Sequence, residues 1–590
     1  MAFRPTHCAL WGAAGSAALF VGACSDPFAT IDSRVDALLA EGTSNVGGGA
    51  AVPDTGAWPA NTVDDRAALN VEQPGTFNPS ADQMTWSSLV STEADSIIER
   101  LEAVDAVDDQ DVLTLDRALT WAIGHAFDYT FAEEEFVLTC LDLLIEQHLW
   151  TPQIANDVTA QYQRYESDAA FASSSSAIIN DLNVTQRLPW GGEVAASYLA
   201  TFSHLVHSAG STTTPNATEN NTIGQFTLSG SIPFLRGAGA IAREDIIQAE
   251  RNLIYASRAF EDFRRSFFVD VVQAYLALQV QQQELDNALD TVALLERMAE
   301  RQRALYAAGR ARLYDAAESE NQALQQRSQV AGQQEAYRLA VDRFKILINY
   351  PVQLPVLIER ASFAISPPDI NLERAVQVAL GHRLDLQTRR DQLIDERRSV
   401  RNALNQLLPD LNLSGSLRFG SPDEYYYSFA IPSVQDMESE ISLTLGLPLN
   451  RTIERLTVRK AQVTLERARR AYSEFRDDIA VNVRNAVRTI DASLLSYDIQ
   501  RRNVEIAEVN IESIDADPDS YTVIDQTQAI QSLQNARNGR ARAFRTVQQS
   551  ILKYLLDTGQ LRVSPDGGID PIPGMEIQRT ASLSFELDGA

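Results

Sequence analysis

The sequence predicts an α+β membrane protein in which long α-helical hairpins are combined with strands of a membrane β-barrel, arranged as an internal two-fold repeat. Three observations predict this. The chain matches itself at two fixed offsets. Apolar stripes of helical period run far longer than a globular core can hold. Short segments of period-two alternation precede each long stripe, behind an N-terminus of secretory type.

Taken in order, the first element is the apolar run Cys8–Cys24 behind a single positive charge, Arg4, which reads as a signal peptide over residues 1–23. Its end, Val21-Gly22-Ala23-Cys24, resembles the bacterial lipobox, in which cleavage leaves Cys24 carrying acyl chains. One chain holds a membrane weakly, at about 0.8 kcal/mol per buried CH₂, so several are needed for a stable anchor. Ser25 rather than Asp follows the cysteine, which points to the outer membrane. Residues 24–92 are rich in Gly, Pro, Ala, Thr and Asp, with three glycines at 47–49, and read as a lipidated flexible tether.

Residues 93–367 form the first structural repeat and 368–560 the second. The segment from Leu115 and that from Leu372 align without a gap at an offset of 257, sharing Leu, Arg, Ala, Ala, Gly, His and Asp. A second match, at an offset of 212, lays the stripe Ala249, Leu253, Ala256, Phe260 and Phe263 onto Ala461, Leu465, Ala468, Tyr472 and Phe475. Carried on to Tyr497, the second stripe covers 36 residues in ten steps, a period of 3.6. Each long helix returns through a shorter one, giving hairpins over 239–349 and 451–556, each on the order of 100 Å long at 1.5 Å per residue.

The strands precede these hairpins. In the second repeat they lie within 411–447, over Leu411–Phe419 and Ile441–Leu447; in the first, over Asn156–Tyr165 and Gln225–Ile232. Two further alternating runs, Asn180–Leu188 and Glu193–Phe202, either add a hairpin to the barrel or fold outside it. Ser208–Thr222 reads as an exposed loop, and residues 561–590, rich in Pro and Gly, as an irregular tail. A secretion signal, the lack of an apolar helix of spanning length and helices too long for a globule together favour lipid-facing strands.

Composition excludes several chemistries. With 50 Lys plus Arg against 79 Asp plus Glu, the formal charge is −29, which disfavours a nucleic-acid surface. Three cysteines give no disulfide framework, and Cys140 reads as a buried apolar residue. No P-loop, serine elbow or Cys/His metal spacing is found; Gly237-Ala238-Gly239 lacks the third glycine of a dinucleotide fingerprint. His125 and His382 recur at matching sites and read as capping or packing residues. The expectation is a protein with no enzymatic activity, no cofactor and no metal.

The order helix, strands, very long helix, turn and shorter helix, in duplicate behind a lipoprotein signal, resembles the TolC-like outer-membrane factor family. Leu-Asp-Arg-Ala-Leu at 115–119 and Leu-Glu-Arg-Ala-Val at 372–376 resemble its repeat opener, Leu407–Ser416 its helix-to-strand junction, and Pro233–Gly237 its strand-to-helix junction. The resemblance implies a homotrimer, with four strands per chain closing a 12-stranded barrel continued by a periplasmic helical tunnel. It also implies a passive exit duct of a tripartite efflux pump or type I secretion system. The partners are then outer-membrane lipid, a periplasmic adaptor and an inner-membrane transporter; the location is the bacterial outer membrane, lipid-anchored and reaching into the periplasm. Gly309, Arg310, Leu313 and Asp315 look like the adaptor-docking turn, with Val523 and Asp525 in the matching places of the second turn. Asp515, Asp517 and Asp519 would form acidic rings at a periplasmic gate. The alternative is a non-conducting periplasmic coiled-coil scaffold lipoprotein, which has no need of lipid-facing strands.

Overall fold

A computed structural model describes residues 29–46, 111–167, 171–209, 217–359, 362–368, 370–420, 437–517, 520–564, 568 and 577–580. The signal peptide, Cys24 and Asp519 lie outside the described residues. The chain divides into two compact units: residues 1–136, 257–387 and 475–590, and residues 137–256 with 388–474.

The elements follow in chain order. After α1 (Ala29–Val46) and β1 (Asp111–Leu113) come α2 (Leu115–His125), α3 (Phe127–His148), β2 (Gln153–Ser167), β3 (Phe171–Arg187), β4 (Glu193–Ala209) and β5 (Ala217–Pro233). The first long helix α4 (Glu244–Ala307) and its return α5 (Leu313–Leu347) follow, then β6 (Val356–Ile358) and β7 (Ser362–Ile365). The order then recurs: α6 (Leu372–His382), α7 (Leu384–Asn405), β8 (Asp410–Gly420), β9 (Met437–Gly446), α8 (Thr452–Ala516) and α9 (Val523–Asp557), with β10 (Ile577–Thr580) last. The corresponding helices have 11 and 11, 22 and 22, 64 and 65, and 35 and 35 residues.

In the first unit, helix ends are fixed by local chemistry. Thr114 and Asn371 cap α2 and α6, accepting from the amides of Arg117 (3.2 Å) and Arg374 (3.1 Å). His125 and His382 each place Nδ1 3.1 Å from the carbonyl four residues back, on Trp121 and Val378. The returning helices α5 and α9 stop at left-handed residues, Asn349 (φ 53°) and Gly559 (φ 67°). Asparagine tolerates that conformation, and its amide here donates to the His125 carbonyl at 2.8 Å. The core holds an aromatic group of Tyr129, Phe136, Phe260 and Phe267, and farther along the hairpins a cluster of Leu295, Met298, Ala323, Val523 and Ile530. Asn287 donates to Asn538 across the two hairpins at 2.8 Å.

The second unit holds a six-stranded, wholly antiparallel sheet in the order β2-β3-β4-β5-β8-β9. It is open, with β2 and β9 as its edges. The β3–β4 turn is tight: Gly191 (φ 101°) and Gly192 (φ 88°) make it, and a Cβ on Gly192 would lie 1.9 Å from the Ser231 carbonyl oxygen.

Three expectations are corrected, and one alternative left open is narrowed. The tether expected over 24–92 contains α1, because Val35, Leu39, Gly42 and Thr43 fall on one helical face and are buried. A Cβ on Gly42 would touch the Phe136 ring at 3.2 Å, so the backbone lies close against that ring. The runs 180–188 and 193–202 are parts of β3 and β4 and stand inside the sheet, giving six strands where the resemblance implies four. The loop expected over Ser208–Thr222 is entered by β4 and β5, which reach Ala209 and start at Ala217 through continued cross-strand pairing. In the tail expected to be irregular, β10 pairs antiparallel with β7, and Leu561 and Val563 are buried.

Candidate functional site

Paired residues of an antiparallel sheet share a face, so the register sorts the six strands without ambiguity. One face carries Ile154, Val158 and Tyr162 of β2, then Ile178, Leu182 and Val184, then Val194, Tyr198 and Phe202. It continues as Phe226, Leu228 and Ile232 of β5, Leu413, Leu417 and Phe419 of β8, and Ile441, Leu443 and Leu445 of β9. Many of these side chains stand bare: Ile154 is 72%, Leu443 65% and Ile441 83% exposed. A contiguous apolar surface of this extent marks a membrane or protein contact.

The opposite face is small, polar and acidic. It presents Asp157, Thr159 and Gln161, then Asp181 and Asn183, Glu193 and Ser197, Thr227, Ser229 and Ser231, Ser414 and Ser416, and Glu440, Ser442 and Thr444. The apolar Ile179, Leu199 and Ile223 also lie on it. Its centre is hollowed to about 370 Å³, lined by Glu193, Ser229, Ser231, Ser414, Ser416, Glu440 and Ser442. Only the register shows that Glu193 and Glu440 belong to one face, on strands separated by β5 and β8; the alternation of one strand alone does not. No helix among the described residues is long and apolar enough to cross a membrane.

Aromatic residues lie at both ends of the apolar band. Tyr162, Phe202, Phe226 and Phe419 stand at its far end, with the Phe226 and Phe419 rings 6.1 Å apart. Trp190 and Phe234, both exposed, lie at the ends nearest the helices in sequence. The strand-to-helix junction is built by Asn405, which accepts from the Gly237 amide at 2.8 Å and donates to the Leu235 carbonyl at 3.1 Å. Gly237 and Gly239 both take φ of 76°, so the glycines serve a turn.

Also in the second unit, α4 and α7 are bound by a polar cluster that the sequence did not signal. Arg251 pairs with Asp395, which also accepts from the Tyr255 hydroxyl. Arg398 reaches Glu244 and Asp395, each at 3.0 Å. Burial, then the hydrogen bond to Asp395, pushes the Tyr255 hydroxyl up to about 12, so it stays a donor at neutral pH. The cluster fixes one helix on the other.

The helical turns belong to the first unit. Gly309 ends α4 with φ 71°, and the amides of Gly309 and Arg310 return to the carbonyls of Tyr306 (2.9 Å) and Leu305 (2.8 Å). Arg310 is exposed, Leu313 is 64% exposed, and Asp315 lies in the first turn of α5. The second turn differs. Val523 is only 8% exposed, packed in the cluster with Leu295 and Met298. Asp525 closes a capping box with Thr522, accepting its amide at 3.0 Å while the Thr522 hydroxyl accepts from the Asp525 amide at 3.2 Å. The Thr522 hydroxyl and amide hold the Asp525 carboxyl below the usual range. Asp515, in the last turn of α8, and Asp517, just past it, are exposed; Asp517 accepts from the Ser520 hydroxyl. Among the described residues no group of three or more His, Cys, Asp or Glu is placed to hold a metal ion. Cys140 is buried, which pushes its thiol up to about 12.

No protein-family model and no curated protein matches the sequence. Solved structures do resemble the chain. The outer membrane protein VceC of Vibrio cholerae matches at a TM-score of 0.57, with 16% identity over 75% of this chain and 96% of that one. The CmeC outer membrane channel of Campylobacter jejuni matches at 0.54, with 15% identity over 76% and 85%. The open state of the MtrE outer membrane channel of Neisseria gonorrhoeae matches at 0.51, with 14% identity over 75% and 88%. The fold is that of the TolC-like outer-membrane channels.

Proposed function

We propose that the chain is an outer-membrane channel, the passive exit duct of a tripartite efflux pump or a type I secretion system. The observation that carries this reading is the two-faced open sheet, apolar and bare on one side, small and polar on the other. An open sheet edge in lipid would leave each backbone group unsatisfied at a cost of several kcal/mol, so the edges β2 and β9 need partners from other copies. Three copies then close a barrel, with the apolar face toward lipid and the polar face around water. The helical hairpins form the periplasmic part of the duct.

In this reading the acyl chains on Cys24 hold the chain to the outer membrane and the turn of Gly309, Arg310, Leu313 and Asp315 meets the periplasmic adaptor. Leu313 supports that role because it is apolar and exposed at a turn. Val523 and Asp525 serve the packing and capping of their own turn, so docking is unequal between the two turns. Asp515, Asp517 and Asp519, repeated by symmetry, ring the periplasmic mouth and favour cations there. Opening separates the hairpins once adaptor contacts outweigh those of the closed state.

The test is single-channel conductance of the purified protein in planar bilayers, with and without divalent cations. Discrete steps are expected, suppressed by the cations and relieved when Asp515, Asp517 and Asp519 become Ala. Steps indifferent to those substitutions would remove the gate and keep the duct. A folded assembly whose gate variant gives no conductance would favour a scaffold.

A further inference from the structure

The β3–β4 hairpin is what separates this sheet from a four-stranded one. We infer that the hairpin belongs to the barrel wall, so that three copies of six strands close an 18-stranded barrel whose wide polar bore suits a bulky hydrophilic solute without net negative charge. The inference rests on the three-copy channel proposed above and deepens it.

The hairpin is held on both sides. β3 pairs with β2 from Gln153 to Ser167, and β4 pairs with β5 from Glu193 to His207. Lifting it out of the wall would break both ladders and leave β2 and β5 unpartnered there. It also continues both faces, since Ile178 and Leu182 carry the apolar side from β2 to β4 while Asp181 and Asn183 carry the polar side. A hairpin folded outside the wall would have no reason to keep that alternation.

The strand count suits closure. With every pairing antiparallel and six strands in the sheet, β2 and β9 run in opposite directions, so β9 of one copy meets β2 of the next antiparallel. The stagger is also that of a tilted wall. Followed through the register, Gln153 at the start of β2 stands level with Thr185, Ala195, Ser229, Ser416 and Glu440, six residues short of Gly446 at the end of β9. If the strand ends nearest the helices mark one membrane surface, that offset is about 20 Å across five strand spacings of about 4.8 Å, a tilt of about 40°. Membrane barrels tilt by about 35–45°. β8 and β9, of 11 and 10 residues, have the length of a tilted spanning strand.

Barrel diameter grows roughly linearly with strand number, so the bore is about half again as wide as that of twelve strands. Its lining is mostly Ser, Thr and Ala, with Ile179, Leu199 and Ile223 among them, and it carries Asp157, Asp181, Glu193 and Glu440; of the arginines on this face, Arg187 stands opposite Glu193 and Arg418 is paired with Glu438 at 3.2 Å. Small side chains leave the width open, and the carboxylates repel anions.

Electron cryo-microscopy of the full-length protein in lipid nanodiscs tests this by counting strands at the membrane mid-plane. Eighteen, with β3 and β4 in the wall, is the expected result. Twelve, with the hairpin outside, would overturn the inference and leave the channel standing. An assembly with no closed barrel would overturn the channel reading as well.

Discussion

Ile441 and Ser442 are adjacent in β9 and lie on opposite faces, so two single substitutions test the orientation of the whole sheet. Ile441 pairs with Gly415 on the apolar face and Ser442 with Ser414 on the polar one. Both lie midway along a ten-residue strand, which in the proposed barrel puts Ile441 near the bilayer centre. An arginine on the lipid face there costs about 2–4 kcal/mol in a membrane barrel. Because Ile441 is 83% exposed, Ile441→Arg removes almost no packing, and the cost is that of placing the charge in lipid. Repeated in three copies, it amounts to about 6–12 kcal/mol per assembly. Ser442→Arg faces water and is expected within about 0.5 kcal/mol of the parent. Urea unfolding from liposomes, with the fraction of assembled protein in isolated membranes, measures both. Equal losses, or a larger loss for Ser442→Arg, would refute the assignment of faces.

The two turns should respond differently: Leu313→Glu is expected to abolish transport in cells while leaving conductance in bilayers unchanged. Val523→Ala, which empties part of the cluster with Leu295, is expected instead to lower stability by about 2 kcal/mol, read by denaturant unfolding. Gly309→Ala meets nothing within 4 Å and should cost only the backbone's about 1–2 kcal/mol, whereas Gly192→Ala drives a Cβ into the Ser231 carbonyl and should cost visibly more in thermal unfolding. Asp525 has a lowered pKa in the folded state, so its contribution is full above the unfolded value of about 3.9 and is lost as pH falls through the folded one. Asp525→Asn should therefore melt earlier than the parent at pH 7, by a gap that narrows as the pH falls below the unfolded value, and a constant gap would contradict the capping box. Reversal potentials across a salt gradient should show cation preference, reduced by Glu193→Gln with Glu440→Gln; an anion-selective parent would be incompatible with the lining described.

Much of the fold was legible because it rests on long periodic signals. The 3.6-residue stripe through Phe260 and Phe267, and its match through Phe475 and Ile479, lies on α4 and α8, and alternation placed Val158 and Tyr162 on one face. What alternation does not carry is the neighbour. It tells that Ile178 and Leu182 share a side, but the pairing of β3 with β2 depends on register across a turn, so the place of the extra hairpin became visible only in the structure. Likewise Arg251 and Asp395, or Gly237 and Asn405, meet over separations of 144 and 168 residues with no local spacing to mark them. The turn motif set Leu313 and Val523 in matching places, yet one is exposed and the other buried, because exposure at a turn is decided by what packs beside it. The helix α1 was missed because its buried face is made by Gly42 and Thr43 as well as Val35 and Leu39, so it leaves no clean apolar stripe in the sequence.

The matched helix lengths act as a ruler with two scales. α4 and α8 differ by one residue, α5 and α9 by none, and Ala323 of the first hairpin packs with Val523 and Ile530 of the second. Removing seven residues from one outgoing helix alone would shorten it by about 10 Å and slide Leu295 and Met298 away from Val523. Length in this chain is therefore a paired variable: changes tolerated in one hairpin are those compensated in its return helix and in the other hairpin together, and an uncompensated insertion or deletion acts as a misalignment rather than as a lost contact.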